Sequence, residues 1–475
     1  MKGSNTRGHD QRSKQARRLL PVLLIGGALI ASACSSSSKS ATTQAPTTTT
    51  TAATTASTAA PATTPATSTA ASTGTTPATT PVTTPATDAP TTTAAAADPL
   101  GTPKAATGDP LTIGYVYDGV SDVVDRSEEL VSAQAAAKYI NDYLGGVAGR
   151  PITLDVCETK STPAGAADCV TKMVTDKVPV VVNGLTNVPG ALYPPLAKAG
   201  IAVFSGGALD ADSLTTPGIY LMGNALLTVL AGPAAVAAEN NITQAAVAVV
   251  DNPAASGAIE QEAPLFYGNV KVGVDVVAIP ADAPDVSPQI TAELTKNPGL
   301  FQVIGDPPFC GKVMQALDSA GYTGKIVIIP NCLEGGANTD LPNLAGSIEL
   351  GTNSTDTTGP EVALYEAVLA KYAASKVDTF AGGPLNGFQA MVGFARATAA
   401  LTGDVTAASI EAAIEAMPAT PYPIADGLTF QCNKKQVTIA PNICTNASLQ
   451  TTLDAKGNGT TYSVLDGTKV LTIGG

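Results

Sequence analysis

Any chemistry in the body of this chain must be done without imidazole. Its 475 residues include one histidine, His9, which precedes an apolar run read below as a cleaved leader. A Ser-His-Asp triad, a histidine-bound zinc and a haem ligand are therefore excluded from the remainder. No G-x-S-x-G elbow, G-x-x-x-x-G-K-[ST] phosphate loop or G-x-G-x-x-G fingerprint occurs either. What remains are small polar residues placed directly after apolar runs: Asp118, then Thr186 and Asn187, then Ser205, Gly207 and Ala208. Further on come Ser256, Asp306, Asn331, Glu334 and Asn386. Glycines let a backbone approach a ligand closely, and free N–H groups at a helix start favour an anionic group. The same residue types also serve as turn and capping residues. Asp306 and Glu334 could form a carboxylate pair for glycoside chemistry, but one carboxylate per loop without a known separation is a weak signal. The pattern favours holding a small molecule over transforming it, and it implies no cofactor and no metal.

The elements that must position these residues alternate. Leu111 to Tyr117 (LTIGYVY) is an apolar strand, followed by Leu130, Ala133, Ala137, Ile140 and Leu144 at helical spacing, which Gly145, Gly146 and Gly149 terminate. Strands at Ile152 to Cys157, Val178 to Val182 and Ile201 to Phe204 are separated by helices around 164–174 and 187–199. The rhythm restarts with strands at Ala245 to Val250, Val270 to Ala278, Leu300 to Ile304 and Lys325 to Ile329. Strands apolar throughout and separated by helices predict parallel-dominated sheets covered on both faces, hence an α/β fold of two Rossmann-like lobes. In such sheets ligands bind beyond the carboxyl ends of the strands, where the polar residues above fall.

Composition and the N-terminus set the compartment. Arg17 and Arg18 precede Leu19 to Ile30, an apolar run of 12 residues, well short of the ~20 needed to span a bilayer as a helix. Residues 1–33 are read as a signal peptide, with Ala31-Ser32-Ala33-Cys34 resembling a bacterial lipobox in which Cys34 takes the lipid. Residues 34–108, dominated by Ser, Thr, Ala and Pro, contain too little apolar bulk to fold and are expected to form a disordered tether. The formal charge is −13, and the first 33 residues carry six Lys or Arg against one Asp, so removing that +5 leaves −18. An acidic exported body is a poor partner for nucleic acid.

At the block AAAKYINDYLGGVAGRPITLDVCETKSTPAGAADCVTKMV, and again at VVVNGLTNVPGALYPPLAKAGIAVFSGGALD and ALDSAGYTGKIVIIP, the chain resembles the branched-chain amino-acid-binding proteins. These are extracellular receptors of ABC transporters with the type I periplasmic-binding fold. The resemblance covers most of 109 to about 430. It implies two lobes around a ligand cleft, with residues 109–228 plus 354–402 in lobe 1 and 229–353 plus 403–475 in lobe 2. It places chain crossings near 224–228, 351–355 and 401–404. It further implies that Thr186 and Asn187 meet a ligand carboxylate, that Ser205, Gly207 and Ala208 form a second wall, and that Glu334, or Asn331 in competition, meets an amine. Two positions depart from the family: Leu209 stands where a hydroxyl is usual, and Ala255 and Ser256 stand where an aromatic often follows a strand.

The function implied is a lipid-anchored, extracytoplasmic, monomeric receptor that captures an amino acid or related polar solute for an ABC permease. A sensory receptor, or a degenerate surface protein of the same fold, is the alternative. Seven cysteines leave Cys34 odd, and the other six fall into close-spaced couples: Cys157 with Cys169, Cys310 with Cys332, and Cys432 with Cys444. Exported proteins keep disulfides. The first couple is one the family often bridges.

Overall fold

A computed structural model describes residues 98–121, 125–251 and 255–472. Cys34, the leader and the tether up to residue 97 lie outside the described residues. Residues 98–108, expected to belong to the disordered tether, instead lie against the folded body, where Lys104 N–H donates to the Asp142 carbonyl at 3.0 Å, Ala106 N–H donates to the Asn141 carbonyl at 2.7 Å and Leu100 packs on the apolar core. Lobe 1 is built on a five-stranded sheet of order β2-β1-β3-β4-β5, formed by β1 (Leu111–Tyr117), β2 (Ile152–Glu158), β3 (Val180–Asn183), β4 (Ala202–Ser205) and β5 (Ile219–Leu221), all parallel. Every residue of β3 and β4 is buried, because helices cover both faces: α1 (Ser127–Tyr139), α2 (Pro163–Asp176), α3 (Pro189–Lys198) and the short α4 (Ala211–Thr215).

Beyond α5 (Gly232–Glu239), lobe 2 carries a seven-stranded sheet. Its strands are β6 (Gln244–Val250), β7 (Gly273–Ile279), β8 (Leu300–Ile304), β9 (Lys325–Ile328) and β10 (Ile348–Gly351), with α6 (Ala255–Asn269), α7 (Ser287–Leu294) and α8 (Pro307–Ser319) between them. After β10 the chain returns to lobe 1 through α9 (Pro360–Tyr372), α10 (Gly382–Ala397), α11 (Ala407–Ala416) and the two-residue strands β11 (Thr420–Pro421) and β12 (Thr429–Phe430). Finally β13 (Ala447–Leu453) and β14 (Gly459–Asp466) complete the order β14-β13-β10-β9-β8-β6-β7. β13 runs antiparallel to β10, and β14 antiparallel to β13. Both sheets are otherwise parallel, the mixed α/β architecture that the alternation of strand and helix predicts. The structure begins β7 at Gly273, because Val270 and Lys271 close the turn after α6 by bonding back to Tyr267 and Gly268.

Residues 403–446 pack differently from the lobe 2 assignment drawn from the sequence. Ile410, Ile414, Tyr422 and Phe430 share one apolar cluster with Phe204 and Tyr220 of lobe 1. The Tyr220 hydroxyl donates to Glu415 at 2.8 Å, and Leu221 N–H donates to the Asn442 carbonyl at 2.8 Å. The third crossing therefore falls at 445–446, immediately before β13, instead of at 401–404. Amphipathic α11 reads equally well as belonging to either lobe until its apolar face finds a partner. The first two crossings lie at 222–226 and 352–356. Asn224 joins the first to the third, its Nδ2 donating to the Thr445 carbonyl at 2.9 Å.

The chain also holds α1 and α10 unusually close. A Cβ on Gly387 would lie 2.3 Å from the Glu129 carbonyl oxygen and 3.2 Å from Ala133 N, so only glycine permits this approach. Three disulfides join Cys157 to Cys169, Cys310 to Cys332 and Cys432 to Cys444. Among the described residues no helix is long and apolar enough to cross a membrane, and no group of side chains is arranged to hold a metal ion.

Candidate functional site

A cavity of roughly 1470 Å³ lies between the lobes at the carboxyl ends of their parallel strands. Lobe 1 contributes the loop after β3 with Thr186 and Asn187, the loop after β4 with Gly207 and Ala208, and the start of α10 with Asn386. Lobe 2 contributes Asn331, Glu262 of α6 and Glu349 of β10. The crossings contribute Asn224 and Thr352.

Beneath the lobe 1 wall lies a buried polar network. Asp118, which follows β1, is 1% exposed. Its Oδ1 accepts from the Thr186 hydroxyl at 2.6 Å and from Thr159 at 2.7 Å, while Oδ2 accepts from Asn187 N–H at 2.8 Å. Three donors thus converge on one buried carboxyl group, each bond contributing about 1 kcal/mol net. The hydroxyl and the N–H that the sequence comparison assigns to a ligand carboxylate are thus held by a carboxylate of the protein itself. A second carboxylate within ~4 Å of Asp118 would meet a repulsion of about 4 kcal/mol at an effective dielectric near 20.

Ser205 is likewise internal. Its Oγ lies 2.7 Å from the Tyr193 hydroxyl and accepts from Gly207 N–H at 3.3 Å, so it shapes the loop after β4 from below. Burial pushes the Tyr193 phenol up, so it stays a neutral partner in this network. Asn183 completes it: its Nδ2 donates to the Val116 carbonyl at 2.6 Å and its Oδ1 accepts from Tyr193. Glu129 sits behind the loop after β3, fully buried, accepting from the Tyr115 hydroxyl at 2.9 Å and from Gly184 N–H. Burial pushes its carboxyl up to about 8, and its Oε2 finds no partner. Gly184 is required here, since a Cβ would approach Glu129 Oε1 to 2.5 Å.

The remaining candidates divide. Thr186, Asn187, Gly207, Ala208, Asn331 and Asn386 line the cavity; Asp118, Ser205, Ser256 and Asp306 do not. Asp306 caps α8 by accepting from Phe309 N–H at 2.9 Å, and Ser256 Oγ approaches Asp251 Oδ1 at 3.4 Å. Asn331 reaches the cleft from the short helix after β9, where its Nδ2 donates to the Gly305 carbonyl at 3.2 Å. The Glu334 side chain lies outside the described residues.

A family model described as periplasmic binding protein matches residues 110–440. The chain belongs to the periplasmic binding protein family. Among solved structures, this periplasmic binding protein resembles the branched-chain amino-acid transporter substrate-binding protein LivJ of Streptococcus pneumoniae, bound to isoleucine. The two are 17% identical with a TM-score of 0.55, over 75% of this chain and 99% of that one. A solute-binding protein of R. palustris in complex with 4-hydroxybenzoate is 15% identical, TM-score 0.58, over 75% and 97%. An ABC transporter substrate-binding protein of Sphaerobacter thermophilus is 14% identical, TM-score 0.60, over 75% and 96%. At these identities the likeness establishes the two-lobed type I fold. No curated protein matches by sequence.

Among the cleft residues that escaped the sequence reading, Glu349, Thr451 and Tyr462 form one group on the cavity lining. Burial raises Glu349 to about 7. None of the three follows a parallel strand, the one signal the reading used. Their proximity comes from antiparallel pairing across about a hundred residues of chain.

Proposed function

We propose that this periplasmic binding protein is a receptor, not a catalyst, which captures a small polar solute between its lobes and presents it to an ABC permease. The observation that carries the reading is the cavity of roughly 1470 Å³ walled by loops of both lobes, in a chain matched by the family model over 110–440. Three chain crossings allow the lobes to close about a hinge, burying the solute and creating the surface a permease would recognise. LivJ holds isoleucine and the R. palustris protein holds 4-hydroxybenzoate, so an amino acid, an amine or a small aromatic compound is the class to screen. The leader and Cys34 support anchoring by lipid outside the cytoplasm, with the Thr- and Pro-rich tether giving reach.

Native mass spectrometry of the protein purified without denaturation tests the receptor. A co-purifying small molecule, with an upward thermal shift on its return to the stripped protein, is expected. An empty cleft that no solute in a broad screen stabilises would defeat the proposal. Labelled palmitate should enter wild type and not Cys34→Ala; equal labelling of both would remove the anchor from the account.

A further inference from the structure

Glu349, Thr451 and Tyr462 lie directly opposite one another on three neighbouring strands, Glu349 paired with Thr451 and Thr451 with Tyr462. Directly opposed residues place their Cβ atoms about 5 Å apart on one face, and all three side chains border the interlobe cavity. The outer member is held in place: the Tyr462 hydroxyl accepts from Thr355 N–H at 3.0 Å and lies 2.8 Å from Thr355 Oγ1. Its ring therefore bridges lobe 2 and the second crossing. At the other end Glu349 is half-buried and its carboxyl group, among the described residues, has no hydrogen bond or ion pair. Lys456, in the turn between β13 and β14, borders the same cavity and makes no ion pair with it.

We propose that this row is a seat for an organic ammonium group, and that the solute of this cleft is a small amine without a free carboxylate. The inference rests on the receptor reading above and deepens it. A carboxylate, a hydroxyl and a tyrosine ring supply a counter-charge, an acceptor and a π face, the three groups an alkylammonium uses. Burial raises Glu349 because nothing opposes its charge, and an ammonium would supply the missing partner. On the opposite wall the loop after β3 does not offer a carboxylate its usual donors, because Asp118 already holds the Thr186 hydroxyl and Asn187 N–H. Arg126, at the cleft rim, is itself engaged within the protein.

Three probes separate the cases: tyramine, 4-hydroxybenzoate and L-isoleucine, titrated calorimetrically into wild type, Glu349→Gln and Tyr462→Leu, with each variant's fold checked by thermal melting. Wild type should bind tyramine at least about 100-fold more tightly than either carboxylate-bearing probe. Glu349→Gln should weaken tyramine about 10- to 100-fold, and Tyr462→Leu about 3- to 30-fold. If one variant fails to fold, the other carries the test. Tyramine binding unchanged in the folded variants, or 4-hydroxybenzoate binding wild type as tightly as tyramine, would overturn the amine seat while leaving a solute receptor intact. No binding of any probe, together with no co-purifying solute, would overturn the receptor and the seat together.

Discussion

The Thr186 hydroxyl donates to Oδ1 of Asp118 at 2.6 Å and, together with Asn187 N–H on Oδ2 at 2.8 Å, joins the loop after β1 to the loop after β3 beneath the cleft. Replacing Asp118 by Ala leaves the Thr159 and Thr186 hydroxyls and Asn187 N–H without their acceptor in a site that is nearly closed to water. We expect a loss of about 2–4 kcal/mol in urea unfolding, from several unmet buried donors. Thr186→Val, which removes one donor and keeps the shape, should lose about 1 kcal/mol. Equal losses for the two variants would show that the network is not centred on Asp118.

Glu129 makes stability depend on pH. Its folded-state value, about 8, lies above the ordinary 4.5, so the folded protein keeps a proton that the unfolded chain releases. The contribution is full below pH 4.5 and is lost as pH rises through 8. At about 1.4 kcal/mol per pH unit the limit is roughly 5 kcal/mol. Denaturant midpoints of wild type should therefore fall between pH 5 and 8, and Glu129→Gln should flatten that slope. Parallel slopes for the two proteins would remove Glu129 as the cause.

Gly387→Ala tests the contact of α1 with α10. The added methyl would meet a backbone oxygen at 2.3 Å, and backbone cannot rotate aside as a side chain can. The expected loss is about 1–3 kcal/mol, as for other overpacked cores, seen as a lowered thermal midpoint. A neutral result would mean the helices separate freely.

The Cys310–Cys332 bond ties the start of α8 to the segment carrying Asn331 and Leu333, both of which border the cleft. Cys310→Ser with Cys332→Ser should lower stability by about 3 kcal/mol, the chain-entropy value for a loop of 22 residues. It should also weaken solute binding. The double variant of Cys157 and Cys169, neither of which lines the cavity, should lower stability by a similar amount and leave affinity unchanged. Equal affinity losses would show that the lobe 2 bond does not act through the rim.

How far the molecule could be read in advance depends on where the information resides. From 109 to 330 each strand is a short apolar run and each helix carries an apolar stripe, so fold class and lobe order followed from local pattern. The placing of polar loops after strands found Thr186, Asn187, Gly207 and Asn331 on the cavity wall. It could not separate these from Asp306, because an aspartate before two prolines reads as a helix cap and as a cleft residue alike, and the cap is what forms. β14 is mostly exposed and lacks apolar alternation. Glu349 gains its neighbours by pairing with residues about a hundred positions later. Such registers are set by tertiary packing, which no local window contains.

Because the strands bearing Thr451 and Tyr462 come from residues 447–466, lobe 2 remains unfinished until nearly the whole described chain has left the ribosome. β10, between β9 and β13 in the finished sheet, would until then expose a bare edge beside Glu349. An exported molecule clipped before residue 447 could still fold its first lobe, yet it would be a vessel with one side missing. Capture competence should therefore depend on the late-made strands of residues 447–466, and a cut that removes them should abolish it while sparing the first lobe.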